Sequence, residues 1–344
     1  MHQMSANVGM PKPVRGLVLM SGGLDSRLAV CLLREQGISV TGLSFESPFY
    51  DAARARSAAA LLGVPLMVED FTAGILAILE HPRHGFGSGL NPCIDCHAAM
   101  LRRAGQRMEA EGFHLVATGE VLNQRPMSQT RRSLGIVAAD SGYDGWILRP
   151  LSARLLPETE PERRGWVDRS RLLDLNGRGR KPQYDLAARL GVTDYPGPAG
   201  GCRLTEPNYS ARLRDLRAHE GLADLNAIEL LRVGRHFRFG PAVKLIVGRD
   251  ETDNAALVKR RGPHHLLLQP LDAAGPTALL DGRATESEIE TAARICARYS
   301  DSPAGQAARI EVMAGEGRRV LQVPKGTEDE IERLRIQQAR RGRA

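Results

Sequence analysis

Residues 19–33 read LMSGGLDSRLAVCLL, and this stretch limits the fold more than any other. The run GLVLM at 16–20 is short, apolar and β-prone. Residues 27–36 place Leu28, Cys31, Leu32 and Glu35 at helical spacing, with Gly37 as a stop. A strand therefore feeds a glycine turn that opens a helix. Such a turn points several backbone N–H groups at one place, with the positive end of the helix behind them, and so suits an anion. Gly22 and Gly23 let the backbone approach phosphate oxygens that a Cβ would exclude, and Ser21 and Ser26 add hydroxyl donors. The plainer alternative is a serine-capped turn in which Asp25 stabilises the helix start. Two better-known phosphate loops are excluded. No lysine lies between Lys12 and Lys181, which rules out G-x-x-x-x-G-K-[ST], and Gly16 onward does not give G-x-G-x-x-G.

At 344 residues the chain has room for two domains. No stretch approaches the roughly 20 apolar residues of a membrane span, and MHQMSANVGMPKP carries no apolar signal core, so a cytoplasmic protein without a membrane partner is expected. Net charge is +7, and only five of the 47 basic residues are lysine. GC-rich coding explains part of that bias, but arginine forks also suit phosphate contacts. With two Trp, six Tyr and seven Phe, an aromatic stacking platform for single strands is disfavoured.

Strands are expected at 39–46 and 65–71, a helix at 51–64 ending at Gly63, and a strand at 114–120 running into a loop. That alternation is α/β, a doubly wound parallel sheet with ligands at the carboxyl ends of its strands. The loop from Gly119 carries NQRPMSQTRR, polar and basic, with Arg125, Arg131 and Arg132 as candidate RNA contacts. Residues 146–207 form an Arg- and Pro-rich connecting region. Within it NGRGRKP puts Arg178, Arg180 and Lys181 on flexible backbone, either as plain connector or as a grip on RNA phosphates. The expected domains are thus 1–145, the connecting region 146–207, a smaller α+β domain at 208–334 and a basic tail at 335–344. In the smaller domain TESEIETAARICARYSD is an amphipathic helix with a Thr285/Glu288 capping box, and RIEVMAGEGRRVLQVPKG a hairpin.

Five cysteines in such a chain do not suggest a disulfide framework. Cys93 and Cys96 form a C-x-x-C at the turn made by Asn91-Pro92, where a helix start lowers a thiol pKa. The pair suits half of a zinc site with His97 and Cys202, a redox pair, or part of an iron–sulfur site. Cys31 and Cys296 lie on apolar helix faces and read as core thiols. Cys202, in AGGC, follows Gly200 and Gly201 on a polar loop.

As a whole string SGGLDS resembles the signature of the PP-loop ATP pyrophosphatases, the adenine nucleotide alpha-hydrolase-like fold. With NPCIDC, ATG at 117–119 and a lone cysteine after a Gly-rich turn, residues 14–207 resemble the tRNA thiouridylases, of both the 2-thiouridylase and the 4-thiouridine synthetase type. The resemblance implies that ATP with Mg2+ adenylates a uracil carbonyl oxygen in tRNA and that sulfur then displaces AMP. It places Ser21, Gly22, Gly23, Leu24, Asp25 and Ser26 on the ATP phosphates, and the backbone around Leu43, Phe45 and Gly119 beside the adenosine. It offers two sulfur routes. In one, Cys93, Cys96 and Cys202 hold a [4Fe-4S] cluster with one iron open; in the other, Cys96 and Cys202 work through a persulfide without metal. Sulfide or a cysteine desulfurase is the implied donor, and a homodimer stays open. Asp25 is assigned to magnesium or to the loop itself.

Two departures qualify this. The loop strand starts by Val14, where 4-thiouridine synthetases first carry an RNA-capture domain, and the second half does not read as the β-barrel of the 2-thiouridylases. KLIVGRDETDNAAL and ESEIETAARICARYSDS resemble instead the RNA-associated domain of ribosome quality-control proteins, implying an RNA-binding appendage. Two other readings remain: adenylation of a carboxylate, whose enzymes carry a C-terminal zinc cluster not seen here, and a non-catalytic RNA-binding protein with a Zn2+ clip.

Overall fold

The computed structural model describes residues 13–197, 201–303 and 305–337. Lys12 and the rest of residues 1–12, Gly200, and the basic tail from 338 onward lie outside the described residues. The chain divides into two compact units, residues up to 87 with 91–202, and residues 88–90 with 203 onward.

The first unit runs β1 (Arg15–Leu19), α1 (Leu24–Glu35), β2 (Ser39–Glu46), α2 (Ala53–Leu62), β3 (Leu66–Asp70), α3 (Thr72–Glu80), α4 (Cys93–Glu111), β4 (Leu115–Thr118), α5 (Arg131–Ser141), β5 (Ile147–Leu148), α6 (Glu160–Arg163) and α7 (Lys181–Arg189). All five strands are parallel, in the order β3-β2-β1-β4-β5. Helices cover both faces of the sheet, so its central strands are apolar throughout. Leu17, Val18, Leu43, Leu115, Val116 and Ala117 are fully buried. The strand order reverses between β1 and β4, which opens a crevice at their carboxyl ends. The loops after β1 and after β4 therefore face one another.

The expected strands and the helix at 51–64 are present, with ends shifted by a residue or two. The helical phase after the glycine turn begins at Leu24, so Asp25 and Ser26 sit in its first turn. The stretch expected as a connector differs more. Residues 146–202 contribute β5, α6, α7 and two 3-10 turns to the first unit. Leu148, Ala153, Val167 and Leu172 pack with β1 and α2, while Leu151, Leu186 and Ala187 pack with Leu24, Leu28 and Leu32 of α1. Short apolar runs broken by Arg and Pro carry no sustained periodicity, although these anchors are buried. Arg131 and Arg132, read as loop, open α5, whose Thr130 cap accepts from the Ser133 N–H.

The second unit contains α8 (Pro207–His219), α9 (Leu225–Leu230), β6 (Arg235–Gly240), β7 (Val243–Val247), α10 (Glu251–Lys259), β8 (Leu266–Pro270), β9 (Ala278–Asp281), α11 (Glu286–Arg298), β10 (Ala308–Ala314), β11 (Gly317–Val323) and α12 (Glu328–Leu334). Its sheet is antiparallel, ordered β11-β10-β8-β9-β7-β6. Strand alternation splits the core. Leu245 and Val247 pack with Ile295 and Cys296 of α11, whereas Ile246 joins Leu257 and Leu279. Burial pushes the Cys296 thiol up to about 12, as befits a core thiol. Cys31 packs partly buried between α1 and α7. Among the described residues no helix is long and apolar enough to cross a membrane.

The capping box opens α11 as expected, Thr285 Oγ1 taking the Glu288 N–H and Glu288 returning to the Thr285 N–H. Thr285→Ala is expected to lower the stability of the second unit by about 1 kcal/mol. Denaturant unfolding followed by far-ultraviolet circular dichroism measures it, and an unchanged midpoint would show that the cap contributes nothing.

Candidate active site

The glycine turn is held by its own side chains. Gly22 adopts φ +76°, and a Cβ there would lie 2.3 Å from the Arg54 backbone at the start of α2. Ser21 Oγ accepts from the Gly23 N–H at 3.4 Å, and Ser26 Oγ donates to the Gly23 carbonyl at 2.8 Å. Ser26 is thus a brace of the turn, its hydroxyl hydrogen already placed. Arg27, almost fully buried, donates from Nε to the Gly22 carbonyl at 3.0 Å and from Nη1 to the Asp194 carbonyl. Burial lowers its pKa, and Asp194 partly offsets that. One guanidinium thereby ties the turn to the segment that leads to Cys202.

Gly119 closes the other side of the crevice. A Cβ on it would lie 2.5 Å from the backbone of Asp25 and Ser26, so the end of β4 touches the first turn of α1 directly. Leu43 and Phe45 are buried in the core beneath, Phe45 against the edge of Phe71, which leaves only their backbone to a ligand. Asp25 accepts from Gln124 Nε2 at 2.8 Å and from Arg180 Nη2 at 3.0 Å to each oxygen.

The residue after Gly119 is a buried carboxylate. Glu120 accepts from Arg149 Nε at 2.9 Å and from Thr118 Oγ1 at 3.1 Å, and His97 Nδ1 lies 3.1 Å from its other oxygen. Burial would raise its pKa, but the charge of Arg149 and the contact with His97 outweigh this and hold it at about 2. His97 is therefore engaged by Glu120 and fixes the first turn of α4 beside the end of β4.

That first turn carries Cys93 and Cys96, three residues apart and on one helix face. Asn91 Nδ2 donates to Cys93 Sγ at 3.1 Å. Burial raises the Cys96 thiol, and the neighbouring Cys202 and Cys93 raise it further, so the three expected cysteines share one environment. The Tyr50 hydroxyl is buried beside Cys96 and Cys202, within reach of the Cys96 thiol and of Ser47. None of the five cysteines forms a disulfide. Among the described residues no three His, Cys, Asp or Glu side chains draw together closely enough to hold a single metal ion.

Residues 13–154 match the family model described as thiamine biosynthesis protein (ThiI), and residues 234–335 match that of the NFACT protein RNA binding domain. The chain resembles the PP-loop tRNA thiouridylases. The tRNA-specific 2-thiouridylase MnmA of Azorhizobium caulinodans is 26% identical over 355 aligned positions, 89% of this chain and 86% of that protein. The same enzyme of Chloroflexus aggregans is 36% identical over 121 residues, 30% of this chain and 34% of its own length. A 4-thiouridine synthetase–RNA complex with bound ATP covers 52% of each chain at 18% identity and TM-score 0.32. The C-terminal part of a fibronectin/fibrinogen-binding protein from Streptococcus suis covers 45% of this chain and 73% of its own, at 14% and 0.28.

In the thiouridylase-like unit the expected RNA contacts fall into two groups. Arg125, Arg131, Arg132, Arg178 and Lys181 are exposed. Arg180, by contrast, is half-buried and spent on Asp25. The two basic segments are neighbours, because Leu122 bridges Asn176 and Gln183 Nε2 donates to Gln124 Oε1 at 2.7 Å. Sequence reading missed Tyr50, Glu120, Arg149 and Arg27. Only Arg27, directly after the signature, and Glu120, directly after ATG, carried a positional signal. A cavity of about 400 Å³ at the opposite, amino-terminal edge of the sheet is lined by Phe113, His114, Trp146 and Trp166 and holds none of the expected residues.

Because Glu120 is held below its ordinary 4.5, the folded state keeps the resulting stability above about pH 4.5 and loses it as the pH falls toward 2. The contribution is on the order of 3 kcal/mol. In urea titrations over this range the wild-type midpoint is expected to fall steeply and that of Glu120→Gln to fall less. Parallel curves would remove Glu120 from the acid sensitivity of this unit.

Proposed function

We propose that the chain is an ATP-dependent tRNA uridine sulfurtransferase. One observation carries the reading: the phosphate-binding turn and the cysteine cluster meet through two consecutive residues, Gly119 packed on Asp25 and Glu120 bound to His97 beside Cys96. Matches to thiouridylases in the first unit and to an RNA-binding domain in the second support it.

ATP binds with its phosphates at the N–H groups of residues 21–24 and at the amino-terminal end of α1. Its adenosine lies along the backbone at Leu43, Phe45 and Gly119, and Mg2+, which Asp25 would hold, would offset the phosphate charge. A uracil carbonyl oxygen of tRNA attacks the α-phosphorus; the P–O bond to the β-phosphate breaks and pyrophosphate leaves. Sulfur then bonds to the activated carbon, and AMP departs with the former carbonyl oxygen. The exposed Arg125, Arg131, Arg132, Arg178 and Lys181 grip tRNA phosphates beside this crevice, and the second unit adds RNA affinity.

Three thiols in one environment, with the buried Tyr50 hydroxyl beside them, suit a [4Fe-4S] cluster in donor chemistry. The corners of such a cluster lie further apart than the donors of a single ion. Cys93, Cys96 and Cys202 would hold it, and its unligated iron would present sulfide. A persulfide on Cys96 or Cys202 is the second reading, the two thiols being neighbours.

Protein purified without oxygen is expected to be brown, and Cys93→Ala, Cys96→Ala and Cys202→Ala to be colourless. With ATP and sulfide it is expected to thiolate unmodified tRNA and release AMP and pyrophosphate, read by nucleoside mass spectrometry. Colourless wild type that gains a trappable persulfide from a desulfurase would select the second route, with Cys93→Ala remaining active. Release of ADP, or no thiolated nucleoside by either route, would overturn the proposal.

A further inference from the structure

Arg180 stands at the phosphate-binding turn with donors to spare. Its one contact there is made by a single nitrogen, Nη2, shared between the two oxygens of Asp25 at 3.0 Å each. A guanidinium and a carboxylate in a settled pair use two nitrogens on two oxygens. Here Nε is buried without a partner. A buried N–H left unpaired is unfavourable and marks a place where an acceptor is missing. Nearby, Gln183 is almost fully buried, and its Oε1 also lacks a partner while its Nε2 supports Gln124, which in turn holds Asp25.

Among the described residues two guanidiniums hydrogen-bond to residues 21–26. Arg27 is consumed by two backbone carbonyls, Gly22 and Asp194, and serves as scaffold. Arg180 contacts only a side chain that can release it. The signature has no lysine of its own, since none lies between Lys12 and Lys181. A triphosphate placed on bare N–H groups and a helix end needs a mobile cation as well, above all when its outer two phosphates separate as pyrophosphate.

We infer that Arg180 binds the β- and γ-phosphates of ATP, exchanging Asp25 for the nucleotide and freeing that carboxylate for Mg2+. The inference rests on the AMP-forming reading above. Asp25 is then the stand-in that neutralises Arg180 while the turn holds no nucleotide. Arg180 is set at the amino-terminal cap of α7, so its backbone stays in place and only the side chain moves. Its role is specific to the outer phosphates, and AMP does not call on it.

Equilibrium dialysis of the full-length protein with ATP and with AMP, each with Mg2+, tests this without turnover. Arg180→Ala is expected to weaken ATP about tenfold and leave AMP unchanged, tenfold being the loss of one charge-assisted contact. Arg180→Lys is expected to recover part of it. A structural clamp alone would weaken ATP and AMP together, and that result, or unaltered ATP binding, would overturn the inference. Asp25→Asn gives a second reading: without Mg2+ it is expected to bind ATP more tightly than wild type, with no such gain for AMP. A loss, or a gain shared by AMP, would count against the exchange. Wild-type protein that binds no ATP would overturn the sulfurtransferase reading and this inference together, whereas normal wild-type binding with an unchanged Arg180→Ala would overturn the inference alone.

Discussion

The contact between the end of β4 and the first turn of α1 organises the upper surface of the first unit. It exists because residue 119 has no side chain to hold the two backbones apart. Gly22 does the same against the first turn of α2. Two close approaches, one on each side of the turn, press the SGGLDS backbone between neighbouring elements. A parallel sheet supplies a crevice wherever its strand order reverses. Here it lies between β1 and β4, the two strands whose loops carry the glycines.

Charge is then built around that backbone in an economical way. Arg27 lies beneath the turn, its donors fixed on carbonyls, and adds a permanent positive field. Arg149 and His97 keep Glu120 ionised although it is buried, and the resulting knot joins β4 to the helix that presents two of the cysteines. Removing one partner of such a knot is costly because it strands the other charge away from water. The glycine turn and the cysteine-bearing helix thus share one support, and a shift in β4 would be felt at both.

Much of this was legible in the residues alone. The strand–turn–helix at 16–36, the expected strands, the capping box at Thr285 and the closing hairpin all follow local rules, with period, glycine and cap in agreement. The grouping of Cys93, Cys96 and Cys202 came from a resemblance, since nothing local joins residues a hundred positions apart. What escaped was of another kind. Leu148, Leu151 and Leu172 sit in short apolar runs broken by Arg and Pro, and only the folded first unit makes them core. Arg180 read as one of three equivalent cations on a flexible stretch, because its link to Asp25 spans 155 positions. Tyr50 gave no sign at all, being one aromatic among apolar neighbours until the fold set its hydroxyl beside two thiols.

The cavity at the amino-terminal edge of the sheet holds both tryptophans of the chain, Trp146 and Trp166, with Arg164 stacked over each of them at about 5 Å. Both belong to the first unit, and the second has none. The intrinsic indole emission of this protein is therefore a private signal of the first unit. Melting of the antiparallel sheet passes unseen at those wavelengths, and an optical transition recorded there dates the loss of the parallel sheet alone.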